Sequence, residues 1–304
     1  MNNLILDNGI KIDYLIFMRW VSSIHGKLFS ESNVRLFEKN IMFLAIGGFI
    51  IHLILILFET QYGVDLFSVK TNLSSNPISA LYTPFTFILV YEAFLLIYYL
   101  PRSFTTSVAK EYEIISLVLI RKIFKDIPNL DLNNNDISNP NNIQLLYDLF
   151  AVIIIFYMIY LFKKTWHDIP KKKTKKNLER FISYKKLLSV LLLPTLLLLC
   201  IYNFADWFNS VFYNISVFSG NIDGVFFKDF FTILILVDVL ILLLSLQYTE
   251  RYSQLIRNTG FIISTILLRL SFGVDGLLSI VLLLLGVVFG LIILKIYKLA
   301  ERAY

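Results

Sequence analysis

The chain has 304 residues, of which 57% are hydrophobic and only 16% are charged. Soluble globular proteins typically carry about 25% charged residues, so this composition excludes an ordinary soluble domain. The net charge of +6 does not indicate nucleic acid, because ten Lys and Arg residues crowd into residues 163–186, between two apolar stretches. Short basic loops of this kind stay cytoplasmic and contact anionic lipids. The sequence predicts an all-α membrane protein that contacts lipid and no nucleic acid.

Six apolar stretches approach the length of about 20 residues that a helix needs to cross a bilayer. They are residues 41–58, 80–100, 143–162, 187–204, 230–248 and 276–294. Two shorter stretches, residues 114–124 and 262–272, each contain an Arg. The segment before residue 41 and the loop at 163–186 are both basic and hence cytoplasmic, so an even number of spans must separate them. The prediction is eight spans in a cell (inner or plasma) membrane, with both termini cytoplasmic.

The two short stretches belong to an internal repeat. A shift of 146 residues places Glu92 on Asp238, and a shift of 148 places Arg121 on Arg269. Polar matches of this kind are rarer by chance than matches among Leu and Ile. They predict two tandem four-helix repeats in the same orientation, related by an axis along the membrane normal. The predicted parts are an amphipathic cytoplasmic segment (1–39), the first repeat (40–162), the polybasic loop (163–186), the second repeat (187–296) and a cytoplasmic tail (297–304).

The charged residues inside the predicted spans are the candidate functional residues. Such residues cost about 3 kcal/mol each at the middle of a helix. Arg121 can bind the carboxylate of Glu92 across neighbouring helices, and Arg269 can bind that of Asp238, through parallel hydrogen bonds. Two interpretations stay open: structural ion pairs, or a polar path for protons or cations. No nucleophile is paired with a base, so we expect a non-enzymatic protein without cofactor or metal.

Other residues are secondary candidates. Asp148 could join the first pair, with Asp275 as its counterpart. His52 could ligate haem only with a second membrane histidine, so a packed histidine is favoured. Gly286 and Gly290 have the spacing that permits close helix approach, either within the bundle or between subunits. The lysines expected to contact lipid are Lys171, Lys172, Lys173, Lys175 and Lys176.

The acids and arginines follow one order in both repeats. The first repeat has Glu92, Arg121 and Asp126, and the second has Asp238, Arg269 and Asp275, with one extra residue before the last acid. This order resembles the phosphate-starvation-inducible E (PsiE-like) family of small bacterial membrane proteins, over about residues 40–162 and 186–296. The resemblance implies a four-helix unit with the acid–Arg pair as a feature of each unit. It implies no activity, and a homo-oligomer or a membrane-complex partner stays open.

Overall fold

The structure is a computed structural model that describes residues 16–62, 77–127, 140–169, 178–213, 222–249, 251–274 and 276–303. All regular structure within these residues is helical, which confirms the all-α prediction. The helices are α1 (16–28), α2 (Glu31–Tyr62), α3 (Tyr82–Tyr99), α4 (Phe104–Asp126), α5 (Pro140–His167), α6 (Leu178–Tyr213), α7 (Ile222–Leu246), α8 (Tyr252–Leu270) and α9 (Leu277–Ala303). We call α2–α5 the first half and α6–α9 the second half.

Six of the described helices contain segments that are long and apolar enough to cross a membrane. The segments are Glu31–Phe58, Asn142–His167, Glu179–Tyr202, Asp229–Leu246, Tyr252–Gly273 and Leu277–Arg302. Helix α3 contributes only the shorter apolar segment Thr83–Tyr99, and α4 is not among the six. Each of the eight stretches predicted from hydropathy corresponds to one of α2–α9. Crossing by α3 and α4 stays a prediction.

The outer surface of the bundle is apolar. Large side chains such as Phe43, Leu198 and Leu236 are exposed over more than 60% of their surface. Water disfavours an apolar surface of this extent, whereas lipid chains do not. The six apolar helices and this surface together indicate an integral membrane protein. In the interior, aliphatic side chains pack with aromatic ones such as Tyr112, Phe162 and Phe261, which are fully buried.

The helices of each half pack in chain order. In the first half α2 contacts α3, α3 contacts α4 and α4 contacts α5, and the second half has the same sequence of contacts from α6 to α9. Between the halves, α4 packs on α8 and α5 packs on α9, while α3 packs on α6. The third helices of the two halves therefore face one another, as do the fourth helices. This arrangement brings the charged third helices together inside the bundle.

A short turn fixes how α3 meets α4. Helix α3 ends at Tyr99, just before Pro101, because proline cannot donate the next helical hydrogen bond. Ser103 then caps α4, since its side chain accepts a hydrogen bond from the Thr106 amide at 3.3 Å. The turn is short enough to make α3 and α4 antiparallel neighbours. The turn thereby places Glu92 beside Arg121.

Several boundaries differ from the prediction. Helix α4 begins ten residues before the predicted span at 114–124, and α8 begins ten residues before the span at 262–272. Hydropathy marked only their apolar parts, because their first turns are polar. Of the loop predicted at 163–186, residues 163–167 belong to α5 and residues 178–186 to α6. The lysines at 171–176 lie outside the described residues.

Candidate functional site

The acid and the arginine of the second half form a buried ion pair. The Nη1 atom of Arg269 on α8 lies 2.5 Å from Oδ2 of Asp238 on α7. Thr265, one turn before Arg269, donates a hydrogen bond to the same carboxylate oxygen at 3.0 Å. Asp238 and Arg269 are both almost completely buried. A buried carboxylate with two donors is held in one position between two helices.

The acid and the arginine of the first half also meet, with a longer separation. Arg121 of α4 places Nε 3.9 Å from Oε2 of Glu92 on α3. The Nη1 atom of Arg121 also donates a hydrogen bond to the carbonyl oxygen of Phe85 at 3.4 Å. Both charged side chains are buried. The structure thus places each of the four predicted residues beside a residue of opposite charge on the neighbouring helix.

Glu111 completes the site, although the sequence pattern did not single it out. Glu111 lies on α4, and its Oε1 atom is 2.8 Å from Nη2 of Arg269. Arg269 therefore lies between two carboxylates, one from its own half and one from the other half. Glu111 is also buried, and hence its charge depends on the arginine for compensation. The ion pair links the third helices of the two halves.

Lys185 adds a second cation to this region. It lies at the start of α6, is only 2% exposed, and donates a hydrogen bond to the carbonyl oxygen of Arg102 at 2.7 Å. A cavity of about 20 Å³ separates it from the acids, which is enough for about one water molecule. The polar residues lining this cavity are Ser107, Glu111, Lys185, Asp238 and Thr265. We call Glu111, Lys185, Asp238, Thr265 and Arg269 the central cluster; its two acids balance its two bases.

A hydrogen-bonded chain lies beside the central cluster. The hydroxyl of Tyr112 on α4 is 2.6 Å from Oγ of Ser264 on α8, and Ser264 donates to the carbonyl oxygen of Gly286 on α9 at 2.7 Å. A Cβ added at Gly290 would overlap the Tyr112 hydroxyl and lie 2.8 Å from Ser264 Oγ. Gly286 and Gly290 thus permit close packing inside the bundle. Internal packing accounts for both glycines.

Two aromatic stacks occupy positions that the same offsets align. Phe85 and Phe124 have ring centroids 5.4 Å apart with an interplanar angle of 21°. Phe231 and Phe272 have centroids 5.0 Å apart with the same angle. In each half, the stack joins the second helix to the end of the third. The two halves therefore share an apolar contact as well as an ion pair.

The remaining predicted residues lie apart from the central cluster. Asp148 of α5 is fully buried and pairs with Lys122 at 3.5 Å, one residue beyond Arg121. His52 is a packed histidine, with Nδ1 2.6 Å from the hydroxyl of Thr83. The Asp126 side chain and Asp275 lie outside the described residues. Among the residues that the structure describes, no group of three His, Cys, Asp or Glu could hold a metal ion.

One ion pair ties the fourth helices together at their ends. Lys298 of α9 places Nζ 2.5 Å from Oδ2 of Asp168, which follows the end of α5. The hydrogen bond and the charge of Lys298 lower the pKa of this exposed carboxyl group below its ordinary value. Because Asp168 is exposed, we expect the pair to contribute little to stability.

No protein-family model matches the chain, and neither a curated protein nor a solved structure matches it. The resemblance to the PsiE-like family stays a prediction that rests on the residues named above. What the site can do follows from its own geometry.

Proposed function

We propose that the chain is a non-enzymatic integral membrane protein, structural or regulatory in role, built from two PsiE-like four-helix units with both termini in the cytoplasm. The observation that carries this proposal is the pairing of the buried carboxylates of Glu92, Glu111 and Asp238 with arginines. An unpaired charge inside a membrane helix costs about 3 kcal/mol. Pairing reduces this cost only when the helices keep one arrangement, so the pairs act as clamps.

Contacts in both halves support the proposal that the chain consists of two four-helix units. The ion pairs Glu92–Arg121 and Asp238–Arg269 lie at positions that differ by 146 and 148 residues. The aromatic stacks lie at positions related in the same way. Third helix faces third helix and fourth faces fourth, which is the arrangement that two units around one axis along the membrane normal would have.

The first pair offers a clean test of the clamp. Glu92→Leu and Arg121→Met would each remove one member of the buried ion pair and lower the free energy of unfolding by about 1–3 kcal/mol. The double variant removes both charges, so it should recover most of that loss. Unfolding of the purified protein in detergent would measure all four forms. A double variant that is no more stable than the single variants would contradict the clamp.

Ion or proton transport is the second candidate function, and the polar cavity in the central cluster is the observation that favours it. Asp238 lines this cavity together with Lys185. Proton and cation flux into proteoliposomes should distinguish the two functions. Asp238→Asn is the test variant, and Asp229→Asn is the matched control, since Asp229 is exposed on the same helix. Flux that Asp238→Asn abolishes and Asp229→Asn preserves would establish transport and overturn the purely structural role.

A further inference from the structure

Basic groups from three segments of the chain meet at one end of the bundle. Lys186 of α6 donates a hydrogen bond to Oγ of Ser22 on α1 at 2.9 Å. The neighbouring Lys185 donates to the carbonyl oxygen of Arg102 in the turn between α3 and α4. His25 lies on α1, one turn after Ser22. These contacts hold Arg102, Lys186 and His25 in one region.

This region carries positive charge without a matching acid. Within the described part of the chain, no carboxylate forms an ion pair with Arg102 or Lys186, and the Arg102 guanidinium contacts the neutral Tyr98. The Nε2 atom of His25 is buried and has no hydrogen-bond partner there. Burial, followed by the charges of Lys186 and Arg102, lowers the pKa of His25 to about 4. An anion in this region would find several donors, and none of the described carboxylates pairs with Arg102 or Lys186.

Helix α1 places the same region at a membrane surface. Its outward side chains Ile16, Phe17 and Trp20 are exposed over 46–62% of their surface. On its inner side Val21 is buried, and Phe29, just beyond the helix, stacks on Phe94 at 5.8 Å. A helix with apolar residues on its outer face and basic residues beside it is typical of the lipid interface. Trp and Tyr residues are enriched at that depth, where lipid phosphates lie.

We infer that Arg102, Lys186 and His25 form a binding site for the phosphate of an anionic phospholipid, whose acyl chains lie along the exposed face of α1. The apolar face of α1 favours a lipid over a soluble phosphate, because a soluble anion would leave Ile16, Phe17 and Trp20 exposed to water. The site lies apart from the central cluster. It requires only that the chain is a membrane protein, so it stands whether the central cluster is a clamp or a transport path.

Lipid retention by the whole protein tests the site. The protein is purified from nanodiscs of phosphatidylcholine and phosphatidylglycerol, and native mass spectrometry counts the lipids that remain bound. Arg102→Gln with Lys186→Gln should reduce the retained phosphatidylglycerol about fivefold for each base removed. The control is Lys39→Gln with Lys164→Gln, which removes the same charge from two exposed lysines and should leave retention unchanged.

Two results would overturn the proposal. One is equal retention by the test variant and the control. The other is displacement of phosphatidylglycerol by inorganic phosphate alone, since that would indicate a site for a soluble anion.

A second measurement needs no change at the site itself. In a chain with Trp166→Phe and Trp207→Phe, Trp20 is the only tryptophan, and its fluorescence can be excited selectively over that of tyrosine. Brominated phosphatidylglycerol should quench it more than brominated phosphatidylcholine at the same mole fraction. Equal quenching by the two lipids would contradict a phosphate site beside α1.

Discussion

The two halves of the bundle hold their arginines differently. Arg121 in the first half lies 3.9 Å from one carboxylate, whereas Arg269 in the second half contacts two carboxylates, at 2.5 Å and 2.8 Å. The additional acid is Glu111, which belongs to the first half. Arg121 therefore stabilises one pair of helices, while Arg269 also joins the two halves. Arg269 thus contacts an acid of each half.

The sequence explains why the acid that joins the two halves comes from the first half. The offset of 148 that aligns the third helices places Glu111 on Thr259 and Tyr112 on Gly260. Position 259 thus supplies no carboxylate for Arg121, and position 260 supplies no hydroxyl that could mirror the Tyr112–Ser264 contact. Gly260 instead lies against Ile293 of α9, where a Cβ would come within 2.6 Å of that side chain. At the contact between the third helices, α4 supplies Glu111 and Tyr112, and α8 supplies Arg269 and Ser264.

Replacement of the two arginines should give the largest difference between the halves. Arg269→Gln leaves two buried acids without their cation, so we expect a loss of about 3–5 kcal/mol in the free energy of unfolding. Arg121→Gln leaves one acid that already lies farther from its arginine, and we expect a loss of about 1–3 kcal/mol. Unfolding in detergent measures both variants. Equal losses, or a larger loss for Arg121→Gln, would mean that Glu111 does not depend on Arg269.

Gly290→Ala should disturb the contact between the halves. The new Cβ would overlap the Tyr112 hydroxyl, so we expect a loss of about 1–3 kcal/mol from overpacking. Tyr112→Phe removes the hydroxyl and should reduce that loss in the double variant. Gly47→Ala is the matched control, because no atom lies within 4 Å of the Cβ it would add. If Gly290→Ala and Gly47→Ala change the free energy of unfolding by the same amount, the close approach of α4 to α9 is wrong.

The two aromatic stacks, in contrast, should contribute equally to the stability of the two halves. Phe124→Leu and Phe272→Leu each remove one ring from a stack with the same angle and nearly the same distance. We expect each to cost about 0.5–1.5 kcal/mol beyond the lost apolar area. Thermal unfolding of the two variants should give losses that agree within experimental error. A clear difference would show that the stacks are not equivalent contacts.

Helix α1 contacts α6 through Ser22, and we expect its attachment to the bundle to depend weakly on pH. The pKa of His25 is about 4 in the folded protein, against an ordinary value of 6.5. The detached helix therefore binds a proton that the attached helix does not bind between these values. Stability is fully present above the ordinary pKa and falls as the pH drops toward the folded value.

Hydrogen exchange measures this effect at residues 16–28. Protection, corrected for the intrinsic exchange rate, should be lower at about pH 5 than at about pH 7.5. The effect should be small, because His25 is only partly buried. His25→Gln should remove the pH dependence. A variant that keeps the same dependence would exclude His25 as its cause.

Much of the helical framework could be predicted from hydropathy and charge. Glu92 and Asp238 lie in long apolar runs, so they stand out as charged residues that need partners. Arg121 and Arg269 stand out in the same way, and their opposite charge suggested that they pair with Glu92 and Asp238. Packing could not be predicted, because the sequence does not say which face of one helix meets which face of another.

Glu111 illustrates this limit. It lies in the polar run Lys110–Glu113, where Glu111 is buried against Arg269 while Glu113 pairs with Lys110 at 2.8 Å. Hydropathy treats the two acids alike. Helical spacing did offer a signal, since Val108, Glu111 and Ile115 lie on one face and are all buried.

Lys185 was missed for a different reason. It lies next to the end of the basic stretch 163–186 that predicted a loop, but α6 begins at Leu178 and carries this lysine into the interior. Nothing in the composition of residues 163–186 separates the buried lysine from the exposed ones. Its environment depends on the turn at Arg102, far away in the sequence.

A double-mutant cycle on Glu111 and Arg269 is the most direct test of a charge cluster that joins the two halves. Unfolding of the wild type, Glu111→Gln, Arg269→Gln and the double variant yields the coupling free energy between the two side chains. We predict a coupling of about 1–3 kcal/mol, as expected for groups in direct contact within one ionic network. Effects that add to within about 0.5 kcal/mol would instead show that the two residues act independently, and that the ion pair does not hold the halves together.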